Sequence, residues 1–123
     1  MKASELRIGN LVFQRTKDVF KFNSVLLVQL DLWNETKYSK KPPCSPIPFT
    51  KEWFLKFGGK TDEGNDIYLS LPNVIDMRLY IKDDHLLLCK GQICPIYEFE
   101  HIVSVHQLQN LYFVLTGEEL IIK

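Results

Sequence analysis

Residues 75–116 read IDMRLYIKDDHLLLCKGQICPIYEFEHIVSVHQLQNLYFVLT, and the two periodicities in this stretch decide the fold class. Ile75, Met77, Leu79 and Ile81 alternate with Asp76, Arg78 and Tyr80, the period-two pattern of a strand with one buried face. Asp83-Asp84 supplies a turn, Leu86–Lys90 a more fully buried strand, and Gly91-Gln92 a second turn. Ile93–Val103 continues extended, with Pro95 marking a strand start or an edge position. At Ser104 the period changes. Val105, Leu108, Leu111, Tyr112 and Leu115 keep helical spacing, with Ser104 as the cap and Gly117 as the left-handed terminator. Phe113 and Val114 fall outside that stripe, so the helix is apolar on most sides. Such a helix is buried against the sheet and also covered by the other helix or by a second protein chain.

Working outward, Ile67–Leu71 reads as a short strand preceded by the polar loop Lys60–Asp66. Before it lies a two-turn helix. Thr50 serves as N-cap, Glu52 puts negative charge in the first turn, and Trp53, Phe54 and Phe57 share a face. Gly58-Gly59 ends it. Pro42, Pro43, Pro46 and Pro48 cannot donate to a sheet ladder, so the connector before this helix reads as extended loop. Toward the N-terminus, Gly9-Asn10 is a turn, Leu11-Val12-Phe13 starts a strand, and Phe20 and Phe22 alternate with Lys21. Val25–Trp33 reads as a long strand, its even positions Leu26, Val28, Leu30 and Leu32 forming one apolar face. Leu120-Ile121-Ile122 reads as a last short strand. The expectation is an α+β fold, mostly antiparallel β-sheet or meander, with two short helices and the C-terminal helix packed on the sheet. Residues 1–123 are expected to form one domain: a β-rich part at 1–34, a loop and short helix at 35–59, and the meander with its helix at 60–123.

Composition narrows the class. The 123 residues carry 15 Lys and Arg against 15 Asp and Glu, a formal net charge of zero, so no general attraction to nucleic acid follows. Hydrophobic residues at 46% and aromatics at 12% exclude a disordered chain. The longest apolar runs, such as Val25–Val28 and Leu86–Cys89, fall far short of a membrane span, and MKASELRIGN lacks the apolar stretch of a signal peptide. With three cysteines, Cys44, Cys89 and Cys94, reduced thiols in a cytoplasm are the expectation.

Three stretches, Leu6–Val12 (LRIGNLV), Pro46–Gly59 (PIPFTKEWFLKFGG) and Val105–Leu120 (VHQLQNLYFVLTGEEL), resemble a family of small proteins of anaerobic gut bacteria and their phages or mobile elements. That family has about this chain length and no established activity. The resemblance therefore implies a complete bacterial protein, with no catalytic residue and no cofactor to carry over.

The residues themselves offer few chemical constellations. With Gly91-Gln92 as a two-residue hairpin loop, Cys89 and Cys94 become the second pair outward, close enough for a disulfide or for half of a metal site with His85. The competing reading makes both cysteines small core residues. His101 and His106 do not share a helix, so they form no ligand pair. Glu98 and Glu100 share one side of a strand, as solvated residues do; Asp83-Asp84 and Glu118-Glu119 read as turn or surface. No phosphate-binding glycine loop and no nucleophile elbow is present in the sequence. Lys37, Tyr38, Lys40 and Lys41 form a basic, aromatic loop of the kind that contacts single-stranded nucleic acid. Trp53, Phe54, Gln107, Gln109, Asn110 and Phe113 are candidates for a protein-interaction surface. The functional expectation is thus a non-enzymatic cytoplasmic module that binds a protein partner or a second copy of itself, without cofactor or membrane. An accessory nucleic-acid binder is the alternative, and a thiol- or zinc-dependent protein the second alternative.

Overall fold

A computed structural model of the chain describes residues 5–15, 18–73, 75–82 and 85–123. The fold is α+β, with two antiparallel sheets and three helices among the described residues. Two compact units are present: Met1–Pro48 with Ser104–Asn110, and Phe49–Val103 with Leu111–Lys123.

In the first unit, β1 (Leu11–Gln14) is the central strand, flanked by β2 (Val19–Lys21) and β3 (Cys44–Ser45). The Gly9-Asn10 turn leads into β1, with Gly9 at φ 97° and its N–H donating to Phe22 O. β3 corrects the expectation of a continuous loop. Cys44 and Ser45 are the two residues of 42–46 that are not proline, so theirs are the N–H groups free to donate to a ladder.

The larger correction falls on Val25–Trp33, which is not a strand. It lies within α1 (Ser24–Thr36), a third helix where two were expected. The decisive residue is Asn23, whose backbone is extended and whose Oδ1 accepts from Leu26 N at 2.9 Å, an N-cap. At the other end, Lys37 turns left-handed at φ 50° and its N–H donates to Trp33 O. The alternating leucines misled because Leu26 and Leu30 are also four apart. An apolar run this dense satisfies both periods, and the cap decides between them. Leu26 and Leu30 pack with Leu6, Val12, Phe22 and Cys44 into the core of this unit.

α3 (Val105–Thr116) begins in this unit. Ser104 N donates to Gln107 Oε1 at 3.1 Å, the backbone half of a capping box. Gln109 Oε1 accepts the N–H of Leu11 at 2.8 Å, so the helix is pinned to the start of β1. Buried Asn10 donates to Asn110 Oδ1, and Arg7 Nε donates to the same oxygen.

In the second unit, β4 (Lys60–Thr61), β5 (Ile67–Ser70), β6 (Met77–Lys82), β7 (His85–Lys90) and β8 (Ile93–Phe99) form a meander in that order, every pair antiparallel. Ile75 precedes β6 and is 83% exposed, so the strand starts two residues later than its alternation suggests. The Asp83-Asp84 turn lies outside the described residues, between Lys82 and His85, which pair across it. α2 (Lys51–Lys56) lies against β5 and buries Trp53 and Phe54, with Phe57 just beyond it. Thr50 occupies the cap position, although its side chain makes no capping hydrogen bond. Gly58 at φ 96° and Gly59, tight against Phe54 O, end this helix as expected. The last turns of α3 end at Gly117, φ 75°, whose N–H donates to Phe113 O. Residues 120–122 form no strand: Leu120 is buried, and Ile121 and Ile122 are exposed.

Candidate functional site

At about 100° per residue, Val25, Val28 and Leu32 of α1 fall within an arc of about 60°, and Leu26 and Leu30 lie on the other side of the helix. The inner pair is buried. The outer three are 63%, 67% and 50% exposed. This i, i+3, i+7 stripe is the spacing by which a helix docks on another helix or in a groove. Its surroundings carry a polarity: Lys21 is exposed just before the helix, and Asp31 and Glu35 are exposed in its C-terminal half. Val19 and Phe20, on the outer strand β2, are exposed as well.

The surface expected from the sequence is placed differently. Trp53, Phe54 and Gln109 are buried, so they are core and not surface. Trp53 and Phe57 rings pack 5.9 Å apart, and Phe54 stacks on Phe49 at 5.8 Å. Gln107 and Asn110 are partly buried and engaged within the chain, Asn110 donating to Glu5 O at 2.9 Å. Phe113 is 39% exposed. A strand over Val25–Trp33 would put Val28 and Leu32 beside Leu26 and Leu30, so the outer face of α1 is not visible from the alternation alone. Asn23 was the available signal.

The basic loop follows α1 directly. Lys37 is its C-cap residue, with Nζ 3.5 Å from the Trp33 ring centroid. Tyr38 is exposed and gains a neighbour the sequence did not suggest: Arg15 Nη2 donates to its hydroxyl at 3.3 Å, with the guanidinium 5.7 Å from the ring centre. Lys40 and Lys41 are exposed. A cleft of about 410 Å³ is lined by Gln14, Arg15, Leu26, Gln29, Tyr38 and Pro43.

Cys89 and Cys94 are joined in a disulfide across the Gly91-Gln92 turn, and Cys44 is the free, buried cysteine. The expectation of three reduced thiols therefore fails for two of them. A sulfur held in a disulfide is not a thiolate ligand, so Cys89 and Cys94 in this form offer nothing to a metal. His85 Nδ1 lies in contact with the carboxylate of Glu98. No cluster of three or more His, Cys, Asp or Glu side chains suited to a metal occurs among the described residues.

Ser104 Oγ lies 3.1 Å from His106 Nδ1, a hydroxyl–imidazole contact of the type used for nucleophile activation. Both residues are buried, and His106 Nε2 has no hydrogen-bond partner among the described residues. Burial holds this imidazole below its usual pKa, so it is neutral. The pair closes the start of α3 and does not open to a substrate.

No helix among the described residues is long and apolar enough to cross a membrane. Comparison with protein-family models, with curated proteins and with solved structures gives no match for this chain.

Proposed function

We propose that the chain is a non-enzymatic cytoplasmic protein-interaction module that pairs with a second copy of itself through the outer face of α1. The observation that carries this reading is the stripe of Val25, Val28 and Leu32, three aliphatic side chains at docking spacing that the chain leaves largely exposed. A second copy fits it because the charges are self-complementary. In an antiparallel pair about a two-fold axis, Lys21 near the start of one α1 approaches Asp31 and Glu35 near the end of the other, and the helix dipoles oppose. The resemblance of three stretches to proteins of gut bacteria and their mobile elements suggests where such a module works. Sedimentation velocity from about 1 µM to about 1 mM, the range in which small interfaces associate, tests the reading. The expected result is a concentration-dependent dimer that Val28→Lys abolishes while the far-ultraviolet circular dichroism stays unchanged. A wild-type chain that remains monomeric throughout refutes it.

A second reading, nucleic-acid binding, is favoured by one contact: Arg15 on Tyr38, which adds a guanidinium to the cluster of Lys37, Lys40 and Lys41. Fluorescence anisotropy with single-stranded DNA and RNA at low salt decides it. Binding that weakens steeply with salt supports this reading, and no binding at low salt removes it.

A further inference from the structure

We propose that the Cys89–Cys94 disulfide is a thiol-exchange site, at which a low-molecular-weight thiol attacks the sulfur of Cys94 and Cys89 is the leaving group. The ladder register places Cys89 on the face of the sheet opposite Leu79, Ile81, Leu86 and Leu88. Leu79 pairs with Leu88 and Ile81 with Leu86, four buried side chains that share one face of β6 and β7, while Leu87 and Cys89 of β7 are buried on the other. Arg78 pairs with Cys89 and Tyr80 with Leu87, one residue out of phase, so Cys89 shares the opposite face with Arg78 and Tyr80.

The two sulfurs are unequal. Cys94 belongs to β8, the outermost strand, and is exposed, whereas Cys89 is 2% exposed. An attacking thiolate reaches Cys94 first. A cleft of about 250 Å³ lined by Asp76, Arg78, Tyr80, Cys89, Gly91 and Gln92 opens on this face. Arg78 is held there by two rings, its guanidinium 4.5 Å from the Tyr68 centroid and Nη1 donating to Tyr80 Oη at 3.4 Å. A positive charge lining the same cleft as Cys89 stabilises the thiolate that leaves, and Asp76 opposes it from that cleft. The third cysteine, Cys44, is buried, and burial pushes its thiol pKa up, so it takes no part.

The exchange balances as follows. A thiolate RS⁻ bonds to Cys94 Sγ while the Cys89–Cys94 S–S bond breaks, and its electron pair leaves on Cys89 Sγ as thiolate. A second RS⁻ then attacks the sulfur of the bound RS, releasing RSSR and Cys94 thiolate. Each protein thiolate takes a proton from water. Two electrons have passed from two thiols to the protein, and RSSR reverses both steps.

The test incubates the full chain in glutathione buffers of graded reduced-to-oxidised ratio, quenches with acid, alkylates with iodoacetamide and reads peptides by mass spectrometry. The expected intermediate carries glutathione on Cys94 and the alkyl group on Cys89, with Cys44 unmodified. Cys89→Ser is expected to accumulate the Cys94 adduct, because the resolving thiol is gone. Arg78→Gln is expected to slow adduct formation on the wild-type disulfide several-fold, and Arg78→Lys to restore most of the rate. Glutathione found on Cys89 instead overturns the proposal. So does a bond that survives thiol excess in the folded chain, or cysteines that stay free thiols in the oxidised buffer.

Discussion

Replacing Leu30 by Ala and, separately, Val28 by Ala distinguishes the two ways of reading residues 24–36. Leu30 is 1% exposed and packs with Leu6, Val12, Phe22, Leu26 and Cys44. Truncating such a leucine removes its transfer free energy and leaves a cavity, together about 2–5 kcal/mol. Val28 sits two residues earlier and is two-thirds exposed. Its truncation loses little packing, and alanine's higher helix propensity offsets part of that, so the net change stays within about 0.5 kcal/mol. With a urea slope near 1.5 kcal/mol/M, a loss of about 3 kcal/mol lowers the unfolding midpoint by about 2 M, and 0.5 kcal/mol moves it by about 0.3 M. Urea titrations followed by circular dichroism, at a chain concentration where sedimentation shows the monomer, read both values. On a strand, residues 28 and 30 would share one face and truncation would cost alike. Similar losses for the two variants therefore refute the helix and everything built on its outer face.

Three further outcomes follow from the geometry. His106 is neutral in the fold because burial lowers its pKa, so between that lowered value and about 6.5 the unfolded chain binds more protons. Its contribution to stability is complete above pH 6.5 and is lost as pH falls through the folded value; the drop in thermal midpoint between pH 7.5 and pH 5.5 is expected to shrink in His106→Asn. Gln109→Leu strands the buried N–H of Leu11, which now donates to Gln109 Oε1 at 2.8 Å, and is expected to cost about 1–3 kcal/mol in the same urea assay. Gly59→Ala would place a Cβ 2.7 Å from Phe54 O and 3.0 Å from Ile67 Cγ2, so a loss of about 1–3 kcal/mol is expected, with a second-unit unfolding probe such as Trp53 fluorescence showing it.

How much of this was legible in the sequence depended on whether one period or two fitted a segment. Ile75–Ile81 alternates with charged and polar residues, so only a strand satisfies it, and β6 is displaced from it by two residues. Val105–Thr116 has a terminator and helical spacing, and α3 matches it residue for residue. Val25–Trp33 is too uniformly apolar to choose, and the choice lay in one side chain, Asn23, outside the run. The choice of element here also decides the candidate surface. With α1 read as a strand, the exposed stripe had no place, and the large aromatics were assigned to a surface that Trp53 and Phe54 do not reach. Those two rings fill the space beside β5 because a six-residue helix needs large side chains to bury enough area. The proximity of Cys89 and Cys94 was legible as an alternative from the Gly91-Gln92 turn, beside the expectation of reduced thiols that the disulfide overturns. The face of the sheet it occupies was not, since that depends on the β6 partner Arg78, eleven residues earlier.

The pairing of two α1 helices is tested most directly by placing one cysteine at the proposed two-fold axis. Val28→Cys in an otherwise unchanged chain, oxidised and run without reductant, is expected to give a covalent dimer. A cysteine at Gln29, on the flank of the stripe, is expected to give far less. A Val28→Cys chain that stays monomeric under oxidation, or a dimer equally efficient from both positions, contradicts the account.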